Sequence, residues 1–208
     1  WPEASITYFR ESISSELSAY GDSLNAKGTG LIFGIPSLTE DGEFQNTLLG
    51  IGKAEGSYKK RRLVPFGEFV PMENYLRGFI SFFDLPMSRN IPGPSVQSPL
   101  AINGTNISSS ICYEIAYPDL VRRADDDPAF ILTVSNDTWF GSSIGPWQHL
   151  QLARMRALEN ERWLIRATNN GVTAVINSKG QVLDSLPQFT RGVLRHDVEM
   201  RSGHTPFQ

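Results

Sequence analysis

The spacing of hydrophobic positions changes several times along the chain, and each change marks an element. Between residues 6 and 24 apolar side chains recur at Ile6, Phe9, Ile13, Leu17 and Tyr20, the spacing of one helical face, until the Gly28-Thr29-Gly30 breaker. Leu31-Ile32-Phe33-Gly34-Ile35 is a short apolar run of buried-strand type, and residues 46–52 with 57–63 read as a hairpin turning at Glu55-Gly56. Further strands are expected at 107–112, 130–135, 164–168, 172–176, 182–186 and 193–198, and helices at 118–124 and 146–160. Asn177-Ser178-Lys179-Gly180, between two of these strands, is a hairpin signal. Helix-linked and hairpin-linked strands in one chain imply a layered α/β domain with a mixed sheet.

Composition narrows the field. A chain of 208 residues with 40% hydrophobic content is enough for one well-buried domain, and no internal repeat, low-complexity tract or domain boundary divides it. The formal charge of -3 gives no broad basic surface, which argues against a nucleic-acid partner. A single cysteine excludes an intramolecular disulfide framework and leaves the redox compartment open. No apolar run approaches the roughly 18 residues that would span a bilayer. The opening Trp1-Pro2-Glu3 reads as the end of a strand entering a loop, so a fragment is expected, with a first strand ahead of Trp1.

Candidate chemistry centres on that cysteine. Cys112 lies in Ser110-Ile111-Cys112-Tyr113-Glu114, where a buried-type strand gives way to a helix begun by Pro118, an elbow that exposes a nucleophile and aims backbone amides at a bound carbonyl oxygen. The bland alternative is an inert core cysteine. A thiol needs a base or a cation to act, and His149, His196 and His204 fall in no recognisable catalytic signature. Glu3 could serve as general base if apolar neighbours hold its proton affinity up, and Lys60 could hold a positive charge beside a developing oxyanion. Their bland readings are a solvated glutamate and one member of the cationic run Lys59-Lys60-Arg61-Arg62, although strand alternation places Lys60 and Arg62 opposite Lys59 and Arg61.

Together these segments resemble the nitrilase superfamily, whose Glu-Lys-Cys triad occupies three separated motifs in this order. The sequences from Leu63 to Pro71 (LVPFGEFVP), Cys112-Tyr113-Glu114, Ser135 to Gly141 (SNDTWFG), Gly145 to His149 (GPWQH), Arg154 to Glu159 (RMRALE) and Ala167 to Ala174 (ATNNGVTA) resemble one branch in particular, the apolipoprotein N-acyltransferases of bacterial envelopes. The resemblance implies an α-β-β-α sandwich over residues 1–208 and a two-step reaction. Cys112 would take an acyl chain from a phospholipid as a thioester and pass it to the α-amino group of a lipoprotein's N-terminal, diacylglyceryl-modified cysteine. Glu3 would be the base and Lys60 the oxyanion stabiliser. Glu68 and Glu114 would orient Lys60 and the thiol, the Tyr113 amide would join the oxyanion hole, and Trp139 would close the site. The implied location is the bacterial inner membrane, with the catalytic domain facing the periplasm. The transmembrane helices that flank this domain in the family are not among the 208 residues.

A lipid substrate should leave its own trace, and the apolar stretch opening at Tyr75 and closing at Leu85, with Phe79, Phe82 and Phe83, could dip into a membrane or cover an acyl chain. Three other readings compete. A soluble nitrilase-type amidase would use the same triad with water as acceptor. A serine hydrolase would use Ser143 in Gly141-Ser142-Ser143-Ile144-Gly145 with His196 or His204 as base, although Ser143 does not sit directly between a strand and a helix. A silent binding domain would keep only the fold. No cofactor is implied; the histidines lack metal-ligand spacing, and there is no Gly-rich phosphate loop.

Overall fold

The computed structural model describes residues 1–69, 90–122 and 127–208. Two sheets lie face to face with a helix outside each. The smaller sheet has three antiparallel strands, β1 (Gly30–Leu38), β2 (Phe44–Gly52) and β4 (Ser57–Lys59). Its outer face carries α1 (Ser14–Ala26), with Ile13 and Leu17 packed on Phe33, Ile35 and Leu49. The larger sheet joins β3 (Ala54–Glu55), β5 (Leu100–Ile102), β6 (Thr105–Ile111), β7 (Ile131–Asn136), β8 (Leu164–Asn169), β9 (Thr173–Ile176) and β10 (Val182–Leu186) in the order β10-β9-β8-β7-β6-β5-β3.

Among the described residues only β6, β7 and β8 run parallel. Central β7 is buried along both faces through Ile131, Leu132 and Val134, while its neighbours mix apolar with polar buried positions, Ser108, Ser109 and Ser110 on β6 and Arg166 on β8. Leu132 and Val134 of β7 point between the sheets with Leu48, Tyr58, Ile107 and Ile111, while Ile131 points the other way onto α3 (Gly145–Glu159), against Leu150, Ala153 and Ala157. The architecture is therefore the expected α-β-β-α sandwich. Both α3 and the short α2 (Pro118–Val121) have a proline in the first turn, where its missing N–H has no helical acceptor to lose.

Some expectations need correction. The first helix does not begin at Ile6: the Ile6 N–H bonds the Gly34 carbonyl, so the chain follows β1 there, and a 3-10 turn at Arg10–Ile13 precedes α1. The β2–β4 hairpin is interrupted, because Ala54–Glu55 crosses to the larger sheet and pairs with β5, and the strand ends at Lys59 rather than Leu63. Residues 193–198 form no strand: Val193 is 80% exposed, and only Leu194 and Val198 are half-buried, so the segment offers no continuous face to a ladder. The 39–43 turn joining β1 to β2, and β5, went unread in the sequence. The stretch from Tyr75 to Leu85 lies outside the described residues, as do residues 123–126 at the end of the helix expected over 118–124. Among the described residues no helix is long and apolar enough to cross a membrane.

Candidate active site

The carboxyl ends of the parallel strands build the site, with the smaller sheet supplying its other wall. Cys112 follows β6 directly and opens a 3-10 helix, Cys112–Ala116. Its φ is +54°, in the left-handed region that costs a non-glycine residue about 1–2 kcal/mol. This is the strained elbow the sequence pointed to, and the surroundings hold it. On the N-terminal side the Ile111 N–H donates to Glu114 Oε2 at 2.8 Å. Glu114 is wholly buried, and its Oε1 also accepts the N–H groups of Arg61 and Arg62 at 2.6 and 3.0 Å, with the Tyr58 hydroxyl 3.0 Å from both oxygens. Burial pushes the Glu114 carboxyl up, against these backbone donors and the charge of Lys60. Glu114 thus ties the elbow to the strand end that presents Lys60.

Glu3 reaches the same place from the other end of the chain. The residues around it lie beside β1, with Gly34 N–H bonded to the Pro2 carbonyl, and a Cβ on Gly34 would collide with the backbone of Glu3 and Ala4. Glycine is required for that approach. The Glu3 carboxylate is 6% exposed: its Oε1 accepts from Asn46 Nδ2 at 2.6 Å, its Oε2 from the Asn136 N–H at 2.7 Å, and Asn169 Nδ2 donates to the Glu3 carbonyl at 2.7 Å. The ends of β7 and β8 therefore fix both its backbone and its side chain.

Lys60 is 1% exposed, just beyond β4, with Nζ 2.7 Å from Glu68 Oε1 and 3.6 Å from Glu3 Oε1. Glu68 is itself anchored, its Oε2 accepting the Val64 N–H at 2.8 Å. The cationic run is thus divided by burial: Lys60 goes inward like Tyr58, while Arg62 turns out over the Tyr117 ring at 5.4 Å. The expected alternation holds at Lys59 and Lys60 and ends with the strand.

These charges set the protonation states. Burial alone would lower the Lys60 ammonium, but attraction from Glu3, the Cys112 sulfur and Glu68 outweighs it and leaves it raised, so it stays charged at neutral pH. Burial, with the Glu3 charge, pushes the Cys112 thiol up to about 11 against the pull of Lys60. A thiol in this setting is protonated at neutral pH, and an attack by sulfur needs a neighbouring group to take the proton. Lys60, as a charged ammonium, has no free lone pair for that, and the carboxylate whose charge bears most on the thiol is that of Glu3.

Of the remaining expected site residues, Tyr113 occupies the second position of the 3-10 helix, half-exposed, with its ring edge-on to Tyr117 at 5.1 Å. Trp139 lies in the 3-10 turn Asp137–Phe140 after β7 and is 75% exposed. Ser143 lies in the loop before α3, where its hydroxyl accepts the Gly145 N–H, and His196 packs on Trp163 with Nδ1 2.6 Å from the Asp197 carbonyl oxygen, so the Ser143–His196 pair of a serine hydrolase is not assembled. Sequence reasoning passed over Asp137 and His149, which lie buried beneath Cys112. The signal was present in the SNDTWFG and GPWQH segments, but as a resemblance without a chemical role. Among the described residues no group of histidine, cysteine, aspartate and glutamate could hold a metal.

Fold and site together define an α/β protein with a buried carboxylate–ammonium–thiol centre on a nitrilase-type sandwich. A family model described as carbon-nitrogen hydrolase matches residues 1–204, and the chain belongs to that family. It is 46% identical over its whole length to an apolipoprotein N-acyltransferase of Pseudomonas aeruginosa (strain LESB58), 48% to one of Pseudomonas syringae pv. tomato and 43% to one of Vibrio vulnificus. The chain spans 41%, 42% and 43% of those relatives' lengths. Solved structures of similar fold include a carbon-nitrogen hydrolase from Helicobacter pylori (TM-score 0.65, 15% identity) and an amidase from Nesterenkonia (TM-score 0.60, 21% identity). Each covers 85% of this chain and is itself 64% covered.

Proposed function

We propose that this chain carries the catalytic centre of an apolipoprotein N-acyltransferase. The observation that carries the chemistry is the convergence of Glu3, Lys60 and Cys112, with the sulfur on a positive-φ elbow. In the first half-reaction Glu3 takes the thiol proton as Cys112 Sγ attacks an ester carbonyl of a phospholipid. The negative charge gathers on the carbonyl oxygen, where Lys60 Nζ and the Tyr113 N–H stabilise it. Lys60 is suited to this because Glu68 and Glu3 fix two directions of its ammonium and leave its third hydrogen for substrate. Collapse expels the glycerol oxygen, which takes the proton from Glu3 and leaves a lysophospholipid and a thioester. In the second half-reaction the α-amino group of a lipidated N-terminal cysteine attacks the thioester, Glu3 accepts its proton, and the thiol is regenerated as the amide forms.

Two observations favour a lipid donor over a small amide. The relatives at 43–48% identity are all named apolipoprotein N-acyltransferase, whereas the amidase-like structures share 21% or less. Trp139, Phe140, Ile144 and Trp147, on the stretch that follows the strand end holding Glu3, are 45–75% exposed and form an apolar rim fit to meet acyl chains or a bilayer surface. Placement at the periplasmic face of a bacterial inner membrane, and a contribution to lipid contact from the segment between Tyr75 and Leu85, belong to the same reading. The test is incubation of the protein with phospholipid in detergent, followed by mass spectrometry for a hydroxylamine-labile acyl group on Cys112. Turnover of small amides without acylation would instead favour the nitrilase-type amidase.

A further inference from the structure

We propose that Asp137 and His149 are positioning residues for the Cys112 nucleophile, acting through a buried chain of hydrogen bonds that ends on the carbonyl of that cysteine. The proposal rests on Cys112 being the nucleophile and not on the identity of the acyl donor.

The chain can be traced atom by atom. His149, on the inward stripe of α3 and 7% exposed, has Nε2 3.0 Å from the Cys112 carbonyl oxygen and Nδ1 2.9 Å from Asp137 Oδ1. A carbonyl oxygen can only accept, so Nε2 must carry a hydrogen. Asp137 Oδ1 also accepts from the Ser135 hydroxyl at 2.5 Å. The carboxylate that orients His149 is therefore itself held by the end of β7. The other oxygen, Oδ2, is held by Arg166 NH2 at 2.6 Å with both side chains fully buried, and Arg166 Nε is fixed on the Val172 carbonyl at 3.2 Å.

Two further features show that space was made for this arrangement. A Cβ on Gly171 would collide with the Asp137 carboxylate, so the Asn169-Asn170-Gly171 turn gives the aspartate its room. On the other side Phe140 packs edge-on to the His149 ring with centroids 6.5 Å apart. The consequence for chemistry is geometric. Glu114 bonds the Ile111 N–H, one residue ahead of Cys112, and His149 bonds the Cys112 carbonyl itself, so the elbow that carries the left-handed conformation is held from both sides. Glu114 clamps from the smaller-sheet wall and His149 from the helix layer. Without the second clamp the residue is free to relax toward ordinary backbone angles, which would swing the sulfur away from Glu3 and Lys60.

The test compares His149→Leu, His149→Gln and His149→Asn in the intact protein, at one pH, by two rates: alkylation of Cys112, the sole cysteine, by iodoacetamide, and thioester formation with phospholipid. A glutamine amide can reach the place of Nε2 and donate to the Cys112 carbonyl, whereas an asparagine amide reaches only the place of Nδ1. A misplacement near 1 Å costs on the order of 100-fold in rate. His149→Leu should therefore lose about that factor in both rates with the apparent KM for lipid unchanged, and His149→Gln should recover about a tenfold part of the loss. Folded His149→Leu protein that reacts at the parent rate overturns the proposal. If that variant does not fold, glutamine against asparagine decides: a faster glutamine variant supports the clamp, and equal or reversed rates overturn it. A parent protein that alkylates but never acylates refutes the acyltransferase reading, while the alkylation series still decides the clamp.

Discussion

The backbone N–H of Asn136 donates to Glu3 Oε2 at 2.7 Å, joining residues 133 positions apart. This bond places one carboxylate oxygen against the end of β7 and leaves the other, Oε1, toward Asn46 at 2.6 Å and Lys60 at 3.6 Å. Glu3, the proposed base, is thus held by the same strand end that leads into Asp137. Under that proposal strand geometry and proton transfer are coupled through a main-chain contact that side-chain truncation elsewhere would leave intact.

Glu3→Gln should keep the bond from Asn136, since a glutamine carbonyl oxygen also accepts, but it cannot take the thiol proton. Thioester formation should fall by on the order of 10²–10⁴-fold, the range for loss of a general base. Comparing the acylation rate with the unfolding midpoint checks this: a stable protein with little acylation is expected, and full activity would remove Glu3 from the mechanism.

Lys60→Met should be costly to the fold as well as to activity. It leaves Glu3 and Glu68 without their shared cation in a site where Lys60 is 1% exposed, and breaking such a buried pair destabilises by about 3–5 kcal/mol. Glu68→Gln, which keeps an acceptor for Nζ, should cost much less. Denaturant unfolding of the two variants measures the difference.

The positive φ of Cys112 gives an unusual stability order. Alanine at +54° carries the left-handed strain and glycine does not, so Cys112→Gly should be more stable than Cys112→Ala by about 1 kcal/mol, the reverse of the order in a helix or strand interior. Unfolding midpoints of the two inactive variants provide the test.

Alkaline pH should weaken the fold through the same cysteine. The thiol is raised from its ordinary 9.0 to about 11, so between those values the folded protein holds a proton that the unfolded chain has released. Its contribution to stability is complete below pH 9 and is lost as pH rises toward 11. Stability measured over that window should fall more steeply for the parent than for Cys112→Ser. Asp137 acts at the other end: burial would raise it, but His149, Arg166 and Ser135 together hold it below its ordinary range, so its contribution is lost on acidification and Asp137→Asn should flatten the acid limb.

Much of the site was legible because its chemistry is local to motifs. The strand-to-elbow transition at Cys112 and the alternation separating Lys60 from Lys59 are short-range features, and central β7 shows as an apolar run because both its faces are buried. What was not legible depends on contacts between distant segments. Nothing near Ile6 announces that the chain will bond Gly34 instead of coiling, and nothing near Val193 announces that no strand awaits it. His149 was passed over because its role is defined by a carbonyl 37 residues earlier and a carboxylate 12 residues earlier, a relation that no linear spacing rule encodes.

The central claim is that Cys112 carries an acyl group taken from phospholipid. Intact-mass analysis of the protein after exposure to phospholipid, with and without hydroxylamine, tests it most directly. A mass increase of one fatty acyl chain, mapped to Cys112, removed by hydroxylamine and lacking in Glu3→Gln, is the expected result. Folded protein that stays unmodified while hydrolysing small amides would contradict the account.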